Sequence, residues 1–133
     1  MDNFIRKLSN KILKHKEEIT LIERDYEGAE IVLVSYGAVA RAAAAAAPLA
    51  RDEGIPVGTL RLITVWPFPG EEIRKMAQKA KHVIVLENNL GQVYPYIKAE
   101  AAHFSEVSFL PPKLVGQIQD PEDILKMIRE VAK

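Results

Sequence analysis

At 133 residues the chain is long enough for one domain with a real core and too short for two ordinary ones. Its 18 lysines and arginines balance 18 aspartates and glutamates, so no net field selects nucleic acid or an anionic membrane as a partner. Cysteine is absent, which excludes disulfides, thiolate nucleophiles, sulfur-held zinc and any iron–sulfur cluster carried on this chain's own thiolates. Asp2, Arg6 and Lys7 charge the N-terminus and no apolar run approaches the roughly 20 residues that span a bilayer, so the sequence reads as soluble and cytoplasmic.

Phe4, Ile5, Leu8 and Ile12 follow helical spacing opposite Arg6, Lys7, Lys11 and Lys14, which predicts a lead-in helix over 1–18. Its basic face is read as solvated, with a lipid- or partner-binding face as the sharper alternative. Ile19 to Ile22 either extends that helix, as Glu17 and Glu18 favour, or forms a short edge strand, the reading preferred for its threonine and isoleucines, and Asp25 to Gly28 is expected as a break. Ala29 to Ser35 is a strongly apolar strand, after which Tyr36-Gly37 turns the chain into a helix from about Ala38. Six consecutive alanines, 42–47, give that helix the highest propensity in the chain. Small side chains there suit close approach to a sheet. Pro48 should kink the helix and Gly54 should cap it.

Ile55 to Thr64 is the next strand. Trp66-Pro67-Phe68-Pro69-Gly70 is then a rigid turn carrying two aromatic rings, because its two prolines withdraw two backbone donors. Glu71 and Glu72 suit the first turn of a helix that runs to about Ala80. Val83 to Leu86 reads as a strand buried on both faces, followed by a helix from about Gln92 to His103. Val107 to Leu110 is the last strand and Pro111-Pro112 stops it. Asp120 as N-cap and Pro121 at the first helical position open a closing helix, Glu122 to Val131. Alternating strands and helices predict an α/β/α sandwich around a mostly parallel sheet.

The chemistry gathers where strands should end. Ser35 to Arg41 joins strand to helix with only Gly37, so it meets neither the dinucleotide nor the P-loop fingerprint. Arg41 could donate to a carboxylate or phosphate, or form a surface ion pair. Glu87 is the best-placed acid, yet no second catalytic group accompanies it. Asn88, Asn89 and Gln92 suit recognition rather than acid–base work, and Gly91 allows a left-handed turn. Trp66 and Phe68 are natural interface anchors, or else caps on the domain's own core. His15, His82 and His103 fall at helix ends or a strand start and are read as ordinary.

Three stretches, V-S-Y-G-A-V-A-R (34–41), E-G-I-P-V-G-T-L-R-L-I-T-V-W-P-F-P (53–69) and V-L-E-N-N-L-G-Q (85–92), carry a family resemblance. In that order they resemble the C-terminal domain of the alpha subunit of 2-oxoacid:ferredoxin oxidoreductases, the 2-oxoglutarate type above all. The likeness departs at Asn88, where methionine is common, and at Ala38, where serine is. It implies a fold similar to the transketolase C-terminal domain over 1–133, with a five-stranded mixed sheet and one antiparallel edge strand. It also implies membership of a complex that oxidatively decarboxylates a 2-oxoacid to its acyl-coenzyme A.

That complex uses thiamine diphosphate, magnesium and iron–sulfur clusters and passes electrons to ferredoxin. The cofactors are expected on other domains or subunits, such as beta, gamma and delta, and none on this chain, which alone would be inactive. The implied role is non-catalytic assembly. Interface candidates are Tyr36, Gly37, Arg41, Trp66, Pro67, Phe68, Glu87, Asn88, Asn89, Gly91 and Gln92, and a homodimer of the isolated domain stays open. The competing reading is an independent flavodoxin-like domain that binds a small molecule or nucleotide.

Overall fold

In the computed structural model, residues 21–114 and 116–133 are described, so the lead-in helix expected over 1–18 lies outside the described residues. Strand and helix alternate along them: β1 (Ile22–Asp25), β2 (Ile31–Tyr36), α1 (Val39–Asp52), β3 (Val57–Leu62), α2 (Gly70–Lys79), β4 (His82–Leu86), α3 (Tyr94–Ala101), β5 (Glu106–Leu110) and α4 (Pro121–Val131). The five strands form one sheet in the order β1-β3-β2-β4-β5. Four run parallel, and β1 lies antiparallel to β3 at one edge, with Ile22 opposite Leu62.

Both faces of the sheet are covered, which is why its central strands read as continuous apolar runs rather than alternating ones. Val32, Val34, Leu60, Leu62, Val83 and Val85 point to one face, where they meet Ile73, Met76 and Ala77 of α2 and Ile97 and Ala101 of α3. Ile31, Leu33, Val57, Ile84 and Leu86 point to the other, against the alanines of α1 and Ile124, Leu125 and Ile128 of α4. The pairing register keeps these sets in step, with Val34 between Leu60 and Val85.

The alanine run divides by face. Ala42, Ala43, Ala46 and Ala47 are buried while Ala44 and Ala45 are exposed. The small residues thus form the contact stripe. Helix α1 continues through Pro48 as one element, and Pro48 sits on the exposed side, where water can reach the carbonyl that loses its donor. Gly54 follows the helix end at φ +83°, its N–H bonded to the Arg51 carbonyl, a left-handed cap of the kind glycine adopts without strain.

Of the edge strand expected over Ile19 to Ile22, Ile19 and Thr20 lie outside the described residues, and β1 runs from Ile22 to Asp25. Pairing runs through Arg24 and Asp25, and the break falls at Tyr26 to Gly28 instead of Asp25 to Gly28. Two features hold it there. Gly58 on β3 lies so close to the bend after β1 that a Cβ would come within 2.5 Å of Tyr26 Cα and 2.7 Å of the Asp25 carbonyl oxygen. Glu72, at the start of α2, accepts from Arg24 Nε at 2.6 Å and Nη2 at 3.0 Å and from the Tyr26 hydroxyl at 2.8 Å. The Arg24 hydrogen bonds hold the Glu72 carboxyl below its ordinary value of 4.5, against the opposing effect of burial. Burial first, and Glu72 second, push the Tyr26 phenol up to about 12.

Gly58→Ala must displace main chain and is expected to destabilise the protein by about 2–3 kcal/mol in urea unfolding. Because the folded Glu72 carboxyl is depressed, the clamp stabilises the fold above the ordinary value of 4.5 and fades as pH falls through it towards the folded pKa. The stability gap between the native chain and Arg24→Met should therefore be constant near neutrality and narrow on acidification. A gap independent of pH in urea titrations would show that the clamp contributes nothing.

Candidate functional site

Because β3, β2 and β4 are adjacent and parallel, the loops after them emerge together at the carboxyl end of the sheet. From β2 the chain passes to α1 on one face, and from β4 to α3 on the other. The gap between the ends of β2 and β4 is therefore the topological switch point, the usual ligand crevice of an open α/β sheet.

Side chains of the chain itself fill that gap. Glu87 follows the last residue of β4 and is 0 % exposed. Its Oε1 accepts from the Tyr36 hydroxyl and from the Val93 N–H, each at 2.8 Å, and its Oε2 accepts from the Tyr94 N–H at 2.9 Å. Helix α3 has no side-chain cap from Val93 at its own N-cap position. Glu87 supplies the cap from the strand end, placing a carboxyl where the helix dipole and the free amides favour it. Asn89 completes the seal. Its Nδ2 donates to the Tyr36 oxygen at 2.8 Å, while its Oδ1 accepts from the Gly91 N–H at 2.8 Å and the Gln92 N–H at 3.0 Å. Burial raises the Tyr36 pKa, and Glu87 adds to that against the donation from Asn89.

Gly91 turns at φ +94°, and a Cβ there would lie 3.5 Å from the Phe109 ring. Gln119 stitches the next gap. Its Nε2 donates to the Glu87 carbonyl at 2.6 Å and the Leu110 carbonyl at 2.9 Å, tying the ends of β4 and β5.

The outer layer is aromatic. Trp66 is 60 % exposed and stands edge-on to Tyr96 of α3, with ring centroids 5.2 Å apart. Phe68 lies 6.1 Å from Trp66 and 5.8 Å from Tyr96, and packs inward against the core. The Trp66–Pro67 peptide is cis. Leu90, at the tip of the Glu87–Gln92 loop, is 77 % exposed.

Among the expected interface residues, Trp66, Gly37, Arg41 and Gln92 are exposed, and Tyr36, Pro67, Phe68, Asn88, Asn89 and Gly91 are half-buried. Glu87 requires a correction. As an interface candidate it would need to reach a partner, but both its oxygens are committed inside the fold. Sequence reasoning passed over Tyr96, Leu90 and Gln119. The signals were an aromatic two residues into α3, an apolar residue between Asn89 and Gly91, and a glutamine just before an N-cap.

No group of three His, Cys, Asp or Glu among the described residues could hold a metal. With no cysteine in the sequence and Glu87 already used, this donor set fits neither a magnesium-bound diphosphate nor an iron–sulfur cluster. His82 lies at the other end of the sheet, its Nε2 2.7 Å from Ser108 Oγ, and burial lowers its pKa against the raising effect of Glu106.

The family pattern of the pyruvate:ferredoxin oxidoreductase core domain II matches residues 29–124. The chain belongs to that family. The 2-oxoglutarate synthase subunit KorA of Methanothermobacter thermautotrophicus is 40 % identical over 125 residues, covering 93 % of this chain and 33 % of its own length. The chain thus spans about a third of that relative. The fold is shared with the 2-oxoglutarate:ferredoxin oxidoreductase of Magnetococcus marinus, with a TM-score of 0.80 at 23 % identity over 99 % of this chain and 23 % of the other. It extends to the transketolase of Campylobacter jejuni, with a TM-score of 0.51 at 13 % identity over 80 % of this chain and 16 % of that one. The expected five-stranded mixed sheet of transketolase type, with one antiparallel edge, is the fold observed.

Glu87→Gln places an amide donor against a backbone N–H or the Tyr36 hydroxyl whichever way it turns. It should cost about 2–3 kcal/mol in urea unfolding. A neutral substitution would show that Glu87 is not the cap of α3.

Proposed function

We propose that this chain is a non-catalytic assembly domain of the alpha subunit of a thiamine diphosphate-dependent 2-oxoacid:ferredoxin oxidoreductase. The observation that carries the reading is the filled switch point. Where an α/β domain of this kind would take a cofactor, Tyr36, Glu87 and Asn89 bond to one another and to α3. What the carboxyl end offers outward is an apolar surface of Trp66, Tyr96 and Leu90, with the half-buried Phe68 against the two rings. Large rings held by mutual contact lose little entropy on binding and suit the centre of a protein interface.

In this reading the chain is one domain working in the cytoplasm as part of a longer subunit. The assembled enzyme converts a 2-oxoacid to its acyl-coenzyme A and reduces ferredoxin, with thiamine diphosphate, magnesium and iron–sulfur clusters held by other domains and by companion subunits. The contribution of this chain is to position them. Among the described residues no helix is long and apolar enough to cross a membrane, in keeping with that placement.

In the full-length alpha subunit, Trp66→Ala combined with Tyr96→Ala should reduce both recovery of the assembled complex and 2-oxoacid-dependent ferredoxin reduction by about tenfold or more. The melting temperature of the variant subunit should move by only a few degrees, about what one or two kcal/mol produces. Unchanged assembly and turnover would sink the reading. Calorimetry of the chain with coenzyme A, flavin and nucleotides should register no micromolar binding, and a positive result would favour the independent ligand-binding domain instead.

A further inference from the structure

The apolar surface at the carboxyl end extends beyond the rings. Of the nine large apolar side chains exposed among the described residues, only Leu49 and Phe104 lie elsewhere. Leu21 leads into β1, which runs antiparallel and so starts at this end, where the Leu21 carbonyl accepts from the Ile63 and Thr64 N–H groups at 3.0 Å each. Leu114 and Ile118 follow β5 on the other side. Exposed apolar groups therefore occur from one edge of the sheet to the other, with β2 as the middle strand.

One free cation stands among them. Arg41, exposed in the first turn of α1 after β2, lies in strand order between Trp66, which follows β3, and Leu90, which follows β4. Arg24, Arg51, Arg61, Arg74 and Arg129 are each in an ion pair, and Arg41 is the one arginine among the described residues that is in none. Its position works against the helix. A cation at a helix start opposes the dipole, and α1 has neither an acid in its first turn nor a side-chain cap to offset it.

Tryptophan, tyrosine and arginine are the residue types that concentrate binding energy at protein interfaces, where lysine is depleted. In the loops that leave β2, β3, β4 and β5, the one described lysine is Lys113, and it is paired with Asp123. Covering this end with another protein takes water from the Arg41 guanidinium as well as from the apolar groups. A charge removed from water is strongly unfavourable unless a hydrogen-bonded counter-charge meets it. The chain has no acid to spare here: Glu72 and Asp123 are in ion pairs, Glu87 and Asp120 cap helices, and Glu71 and Glu122 sit in first turns where the dipole already favours them. A second copy would bring the same committed acids. The counter-charge has to come from a different surface.

We propose that a companion subunit covers this end with an apolar surface that carries a carboxylate, and that Arg41 donates to that carboxylate through its planar fork. The proposal rests on the assembly reading and adds the chemistry of the partner, acidic opposite Arg41 and apolar around it.

The test uses the full-length alpha subunit and the companions that purify with it. Arg41→Gln should weaken companion binding by about thirtyfold or more, as loss of one member of a buried charge pair does, and Arg41→Lys, which keeps the charge without the fork, by less. The melting temperature of the variant subunit alone should be unchanged or slightly higher, because the helix loses an opposed charge. Native affinity in Arg41→Gln, while Trp66→Ala with Tyr96→Ala still disrupts assembly, would overturn this proposal and leave the assembly reading standing. Disruption by neither would end both. A clear fall in the melting temperature of the subunit alone would place the carboxylate within the same polypeptide, and sedimentation showing a native dimer that Arg41→Gln dissociates would place it on a second copy. Either result overturns the proposal.

Discussion

The carboxyl group of Glu87 joins three elements that the chain brings together from different places. It ends β4, caps α3 through the Val93 and Tyr94 amides and draws in the hydroxyl of Tyr36 at the end of β2. A buried polar group costs stability unless its bonds are made, so this arrangement holds only while all three elements sit where they do. Helix α3 starts over the end of β4, on the face shared with α2, where Glu87 accepts from its first amides and Val93, Ile97 and Ala101 are buried in the core.

That acid produces an inversion at the carboxyl end of the sheet. The group that could do chemistry is inside, and groups that would ordinarily fill a core, Trp66, Tyr96 and Leu90, are outside. A buried acid and a contiguous exposed aromatic patch are the two departures from ordinary burial that carry information. Here they have one cause. Sealing the switch point takes polar groups from the surface, and the rings that remain around it find only one another. The same logic separates the sheet edges: charge is concentrated on β1, where ion pairs close it, and is nearly absent from β5.

Much of this order was legible in the residues. The apolar run of β4 predicted a strand covered on both faces, that of β2 predicted a strand, and Asp120-Pro121 marked the start of α4, where the Asp120 side chain accepts from the Glu122 N–H at 2.9 Å. Pro111-Pro112 ended β5 as expected. What escaped were contacts between distant residues. Asp25 read as the start of a break, yet it pairs with Thr59 as the last residue of β1 and its carboxylate accepts from Arg51, 26 positions on. The start of α3 was set too early, at Gln92, because its cap lies six residues before Val93 instead of at the N-cap position. Gln119 gave only the weak signal of a glutamine just before an N-cap, since its partners are two strand ends.

The stretch Glu87 to Gln92 spends most of its polar groups on its own fold. Glu87 serves α3 and Asn89 serves the turn and Tyr36, so the loop's own hydrogen bonds use both. Gly91 is required by φ +94°, a left-handed turn that a residue with a side chain would resist. Asn88 gives its carbonyl to the Gly116 N–H, joining the loop to the segment that leads into Gln119. Only Leu90 and Gln92 face outward. Three of these residues build the loop and two stay exposed, so most of the stretch is spent on closing the carboxyl end of the sheet.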